Sequence, residues 1–122
     1  MQIGWGSALT VQYYAFANCT GLGGVYFPHL TDLGANAFKG CINLQEVNLG
    51  DYCTSIGTSC FEDCTTLYWI SCGNETPPIL GDNIFMNAKS TCKIYVPDAS
   101  VNTYKAASGW STYSDKIFSY TQ

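Results

Sequence analysis

Four phenylalanines set the beat of this chain. Phe16, Phe38, Phe61 and Phe85 recur at intervals of 22, 23 and 24 residues, and Val25, Val47, Ile70 and Ile94 each follow their Phe by nine. A second column, Val11, Leu33, Ile56 and Leu80, lies between copies. A third holds Leu22, Leu44 and Leu67, with Thr91 standing in the last copy. Counting back 22 from Val25 reaches Ile3, and Trp5 then matches Phe27, so the chain opens inside a fifth copy. Self-similarity with a period of about 20–50 residues is the signature of stacked repeats.

Each copy carries a short x-Val-x-Phe alternation, the period-2 pattern of a strand with one buried face. Gly, Asn, Thr and Asp around it predict turns. The Ala-Phe-x-x-Cys piece is too short for a full helix and reads as a helical turn or tight loop. One such unit cannot bury enough apolar surface to offset the entropy of ordering it. Stacked units can, because each buries its flank on the next while their strands join in a parallel sheet. The held positions are therefore those that point into the stack. The predicted architecture is a solenoid with a parallel sheet of about five short strands.

The pattern L-x-x-V-x-F-P-x-x-L-x-x-L-G-x-x-A-F-x-x-C, as it runs from Leu22 to Cys41, resembles the BspA-like leucine-rich-repeat family of bacterial surface proteins, and the resemblance covers nearly the whole chain. It implies a right-handed, β-rich superhelix with turns or short helical turns opposite the sheet. The last copy departs locally: Ala88 replaces the Cys, Thr91 the Leu, and "GNETPPILGDN" (73–83) lengthens a turn. The segment 94–117 is similar to the C-terminal cap that closes many members. The expected division is repeats over 1–97 and a cap over 98–122, in one continuous domain.

The residues of the tail support a cap independently. Asp98 or Ser100 is placed to N-cap a helix of about 99–108 that starts after Pro97. Val101, Tyr104 and Ala106 or Ala107 share one helical face, and Gly109 suits the stop. Trp110, Tyr113, Ile117 and Phe118 then supply apolar bulk to cover the last repeat. Such a lid protects a final strand that would otherwise be an open edge. At the other end, Ile3-Gly4-Trp5 reads as an uncapped strand. The expectation is that the chain is the C-terminal part of a longer array, or that this strand self-associates with another molecule.

Composition narrows the function. Hydrophobic residues make up 47% and charged ones 11%, with a formal charge of −4 and five Lys plus Arg. Without a basic stripe, nucleic acid and anionic lipid are not expected partners. No apolar run approaches the roughly 18 residues of a membrane helix, so membrane insertion is not expected. The start "MQIGWGSALT" lacks the basic and apolar stretches of a secretory signal, so an exported protein would have to be a processed or trimmed form.

Seven cysteines are an odd number, which excludes a complete disulfide framework. Cys19, Cys41 and Cys64 share one repeat slot, Cys60 replaces Ala15 and Ala37, Cys72 replaces Phe27 and Leu49, and Cys53 aligns with Leu30. Six of the seven thus stand where the repeat wants a small or medium apolar group, as free Cys does. Cys92 alone falls off the pattern. Reduced core thiols are expected. Cys60-x-x-x-Cys64 lacks the paired Cys-x-x-Cys of zinc sites, so no metal is expected, and no cofactor.

Catalytic chemistry finds no foothold. His29, the single histidine, sits in "FPHLTD" and reads as a solvent-facing turn residue with no exposed thiol beside it. Asp32, Glu46, Asp51, Glu62, Asp63 and Asp82 are scattered, not convergent as acid–base pairs must be. Loop carboxylates lack EF-hand spacing, and "GLGG" (21–24) lacks the Lys-Ser/Thr of a phosphate loop. The sequons at Asn18 and Asn74 matter only in a eukaryotic secretory host.

What remains is the outward face of the strands. The alternation brings Gly24, Glu46, Trp69 and Lys93 into one row and Tyr26, Asn48, Ser71 and Tyr95 into the next, with Tyr68 close by. Exposed Trp and Tyr are over-represented where proteins meet partners. The resulting expectation is a non-catalytic binding module, extracellular or at the cell surface. Its expected contacts are Tyr26, Glu46, Asn48, Tyr68, Trp69, Ser71, Lys93 and Tyr95. The resemblance implies adhesion and contact with proteins of the host matrix or of neighbouring cells. Glycan recognition through the aromatic residues, or a ligand-free spacer or cap, are the alternatives.

Overall fold

In the computed structural model, residues 9–121 are described. The proposed strand at Ile3–Trp5 lies outside them. Two all-parallel sheets run through the molecule, where one was expected. The first contains β1 (Leu9–Val11), β3 (Leu30–Leu33), β5 (Ser55–Ile56) and β7 (Ile79–Leu80) in that order. The second contains β2 (Gly24–Tyr26), β4 (Glu46–Asn48), β6 (Trp69–Ser71), β8 (Lys93–Val96) and β9 (Ile117–Ser119). Val11, Leu33, Ile56 and Leu80 are therefore strand residues themselves, paired in register as Val11 with Leu33, Leu33 with Ile56 and Ile56 with Leu80. In β1, β3 and β5 the buried residue stands beside Thr, Asp or Ser, with Gly close after it in the later copies, which is why this sheet reads as turns in the sequence.

A third hydrogen-bonded wall closes each repeat. Phe16, Phe38 and Phe61 donate their N–H to the carbonyls of Ala37, Cys60 and Ile84 in the following repeat. Asn18, Gly40 and Asp63 do the same to Lys39, Glu62 and Met86. The Ala-Phe-x-x-Cys piece is a tight loop bracketed by two columns of left-handed residues. These are Tyr14, Asn36, Ser59 and Asn83 before the Phe, and Asn18, Gly40, Asp63 and Asn87 after it. Asn, Asp and Gly tolerate that backbone best, which explains most of the choices in both columns.

The phenylalanines stack along the molecule. Phe16 and Phe38 have ring centroids 5.3 Å apart, Phe38 and Phe61 5.6 Å, Phe61 and Phe85 5.8 Å, all nearly parallel. Tyr113 ends the series edge-on against Phe85 at 5.1 Å. Gly57 marks where repeats approach most closely, since a Cβ there would collide with the backbone of Ala35. Gly34 and Gly81 stand in the same column under the same constraint.

Five of the six cysteines expected in the core are there: Cys41, Cys53, Cys60, Cys64 and Cys72 are buried, Cys19 at the first repeat is only partly so, and all seven are free. Cys41 and Cys64 donate their thiols to the Phe16 and Phe38 carbonyls, each at 3.1 Å, so the slot uses a weak donor as well as a small volume. Burial raises the pKa of these thiols, to about 12 for Cys53 and Cys64. Cys92 is a correction. It is buried and its N–H bonds the Lys89 carbonyl, while Thr91 is exposed, so Cys92 and not Thr91 continues the Leu22–Leu44–Leu67 column through a one-residue slip.

The tail is helical over a shorter span than 99–108: a 3-10 turn at Asp98–Ser100 leads into α1 (Val101–Ala106). Neither expected N-cap side chain caps it. The Ser100 hydroxyl donates instead to the Glu75 carbonyl at 3.1 Å, and Asp98 accepts from the hydroxyls of Ser119 and Thr121. Tyr104 is fully buried and donates to the carbonyl of Asn74, with its oxygen 3.3 Å from Cys72 Sγ. Trp110 packs against it edge-on at 5.0 Å and donates to the Pro78 carbonyl at 2.7 Å. The long turn 73–83 is thus pinned by the tail. The helix stops earlier than Gly109, at Ala107, whose backbone is extended, and Gly109, at φ +82°, leads into the 3-10 segment Trp110–Lys116 instead. Beyond it, Ile117 pairs with Ile94 and Phe118 with Tyr95, so the tail contributes a strand to the second sheet and not only apolar bulk.

Candidate binding face

The outward side of the second sheet carries the expected rows in register. Gly24, Glu46, Trp69 and Lys93 follow one another, and beside them run Tyr26, Asn48, Ser71 and Tyr95. β9 extends the second row with Phe118. The alternation dictates this, because Val25, Val47, Ile70, Ile94 and Ile117 between the rows point inward, most of them fully buried.

The eight expected contact residues do not behave alike. Tyr26 is 61% exposed and stands at the β2 end, and Glu46 is likewise exposed. Tyr68 is exposed, with Lys89 Nζ 5.3 Å from its ring centre. Lys93 is exposed and lies 5.4 Å from the Phe118 ring centre. Asn48, Trp69 and Tyr95 are half-buried, and Ser71 is only 7% exposed. That last value corrects the expectation of an outward, open Ser71: larger neighbours on both sides overshadow its short side chain.

Those four more sheltered residues converge. Asn48, Trp69, Ser71 and Tyr95, joined by Tyr120, line a shallow groove of about 440 Å³. Trp69 and Tyr95 meet edge-to-face at 6.5 Å, and Tyr95 leans on Phe118 at 6.4 Å, so the rings brace one another. Asn48 Oδ1 accepts from the Gly50 N–H at 2.9 Å, which orients the amide. Tyr120 has its phenol pushed up to about 12 by burial, with Cys72 and Asp51 adding to the shift, so it stays neutral well above physiological pH.

The family comparison fits this layout. A family model described as BspA type leucine-rich repeat region matches residues 6–120, in six copies. The chain belongs to the BspA-type leucine-rich repeat family. No curated protein matches the sequence. The family match reaches through β9, in keeping with the pairing of Ile117 with Ile94. Phe118 and Tyr120 were missed as face residues, yet a signal for them exists: Ile117 follows Ile94 by 23 residues, the spacing of the repeat itself.

Elsewhere the repeats offer less chemistry. Among the described residues no three His, Cys, Asp or Glu groups come together as a metal would require, and no helix is long and apolar enough to cross a membrane. His29 is half-buried and stacks on Tyr52 at 6.2 Å, so it faces solvent less than its turn position implies. Lys39 pairs with Glu62 of the next repeat at 3.1 Å.

Proposed function

We propose that the chain is a non-catalytic binding module: a right-handed leucine-rich-repeat solenoid, with repeats over 1–97 and a cap over 98–122 in one domain. It acts in a secreted or surface-displayed protein and holds a protein partner, of the host matrix or a neighbouring cell, against the outer face of its second sheet. The observation that carries this reading is the gathering of Trp69, Tyr95 and Tyr120 around a polar floor of Asn48 and Ser71. Large, rigid rings with few rotamers lose little entropy on binding and dominate contact energy at interfaces. The family's known preference for protein contact supports the same choice.

Replacing Trp69 and Tyr95 together with Ala is the test. Binding to an immobilised panel of host matrix proteins should be lost while the melting temperature stays close to that of the parent. Unchanged binding by the double variant removes this face from consideration. A glycan reading draws on the same rings as stacking platforms, with Asn48 meeting hydroxyls; a positive glycan array beside a silent protein panel would favour it. Silence in both screens would favour a spacer.

A further inference from the structure

The aromatic groove does not end at Tyr120. On the far side of that ring a second groove opens, of about 540 Å³, bordered by Asp51, Asn74, Glu75 and Pro97. Tyr120 lines both. The two meet above Gly73, where a Cβ would collide with the Asp51 carboxylate and lie 2.9 Å from the Tyr120 hydroxyl. The absence of a side chain at Gly73 is thus what lets the carboxylate and the phenol converge into one continuous cleft.

The cleft is electrically one-sided. Asp51 and Glu75 are exposed at its far end, and no lysine lines either part. Lys93 neighbours Trp69 in the sheet and lies against Phe118, Lys89 lies against Tyr68 and Lys116 on the Ser90 carbonyl, while Lys39 is taken by Glu62 and Lys105 is exposed on α1. The floor holds Ser71, a polar side chain more than nine-tenths buried that nonetheless faces the groove. Such a site offers flat rings, then a buried hydroxyl, then two carboxylates in line.

We infer that the cleft takes an arginine- or lysine-bearing segment of the protein partner. The side chain lies over Trp69, Tyr95 and Tyr120, and its charged end meets Asp51 and Glu75. This rests on the sheet-face reading and adds to it the chemistry of the partner. A guanidinium stacks on aromatic faces and forks onto carboxylates, so one side chain uses both halves of the cleft. A net charge of −4 also draws cations toward the molecule. A neutral sugar would use the rings but gain nothing from the acidic end.

The test uses fluorescence polarisation with two labelled peptides, acetyl-Gly-Arg-Leu-Arg-Gly-amide and its counterpart with Gln for each Arg, on the whole chain. The arginine peptide should bind about fivefold tighter at low salt, the upper end for an exposed ion pair. That preference should shrink at about 300 mM salt and vanish in an Asp51→Asn, Glu75→Gln variant, with Trp69→Ala weakening both peptides. Should the double variant melt early, Glu75→Gln alone serves. Equal binding of the two peptides, lost in Trp69→Ala, overturns the cationic preference and leaves the sheet face standing. Binding indifferent to Trp69→Ala overturns both readings. Tighter binding of a neutral tetrasaccharide than of either peptide, or no binding of either peptide at millimolar concentration, also overturns the inference.

Discussion

The two sheets are cut from the same repeats and share one interior, yet their outer surfaces are built on opposite plans. On the first, side chains close upon the stack itself. Thr31 donates to the Leu9 carbonyl at 3.1 Å, Thr54 to the Thr31 carbonyl at 3.0 Å, and Ser55 to the Asp32 carboxylate at 2.8 Å. On the second, the outward residues are large rings and an amide around an open groove, touching one another through ring contacts. Short hydroxyl side chains that bond the neighbouring repeat stabilise the stack, and beside them a groove of about 420 Å³ runs over Leu33, Ile56 and Leu80, with Ile79 78% exposed on its lining. The rings of the second sheet are braced by one another and not by the backbone of the next repeat. The difference separates a face whose polar side chains are bonded to the stack from one whose rings are bonded to nothing beyond each other.

If that division is real, stability resides in the shared interior and not on the outer face. Phe61 is fully buried and stacked between Phe38 and Phe85. Phe61→Ala should cost about 3–5 kcal/mol, the range for removing a buried aromatic ring. Trp69→Ala, on the outer face, should stay within about 1 kcal/mol. Urea unfolding of both variants measures the contrast directly, and comparable losses would erase it.

The same division governs how much could be read from the sequence. Inward positions recur because each must match its neighbour one repeat away, so the Phe column, the Val column and the cysteine slots are legible from spacing alone. Two strand columns, Val11–Leu80 and Ile117–Ser119, were harder to see. The first sheet's strands set Thr, Asp or Ser beside their buried residue and so resemble turns, and the tail's strand follows a helix that hides the period. The slip that buries Cys92 in place of Thr91 leaves no mark, because a weakly polar thiol and a hydroxyl are equally plausible beside a turn. On the face, the two rows follow from alternation. The burial of Ser71 and the arrival of Tyr120 at the groove depend on the sizes and paths of neighbours, which periodicity does not encode.

A smaller effect sharpens the account of the interior through pH. Burial holds Cys53 and Cys64 at about 12 and Cys92 at about 11, against an ordinary value of 9.0. A pKa raised in the folded state means that the unfolded chain releases its protons first. Stability is therefore full below about pH 9 and falls as the pH climbs toward the folded values. At about pH 10.5 one thiol held at about 12 should account for about 2 kcal/mol of that loss. Urea unfolding under reducing conditions at neutral pH and at about pH 10.5 reads the slope. Cys53→Ala should flatten it by roughly that amount; an unaltered slope would mean that Cys53 is open to solvent.

The smallest effect separates the first rung of the cysteine column from the rest. Cys41 and Cys64 are fully buried, each bonded to a Phe carbonyl of the preceding repeat, whereas Cys19 is only partly buried. A thiol reacts as its thiolate and only where a reagent can reach it. Cys41 and Cys64 therefore wait for local opening of the stack, while Cys19 does not. Iodoacetamide at neutral pH should modify Cys19 first and leave the six buried cysteines until denaturant is added, with no change in melting temperature for the singly modified protein. Intact-mass spectrometry followed by peptide mapping decides it. Early labelling of Cys41 or Cys64 would show that the turn wall opens readily, and the interior would then lose the rigidity that sets it apart from the outer face of the second sheet.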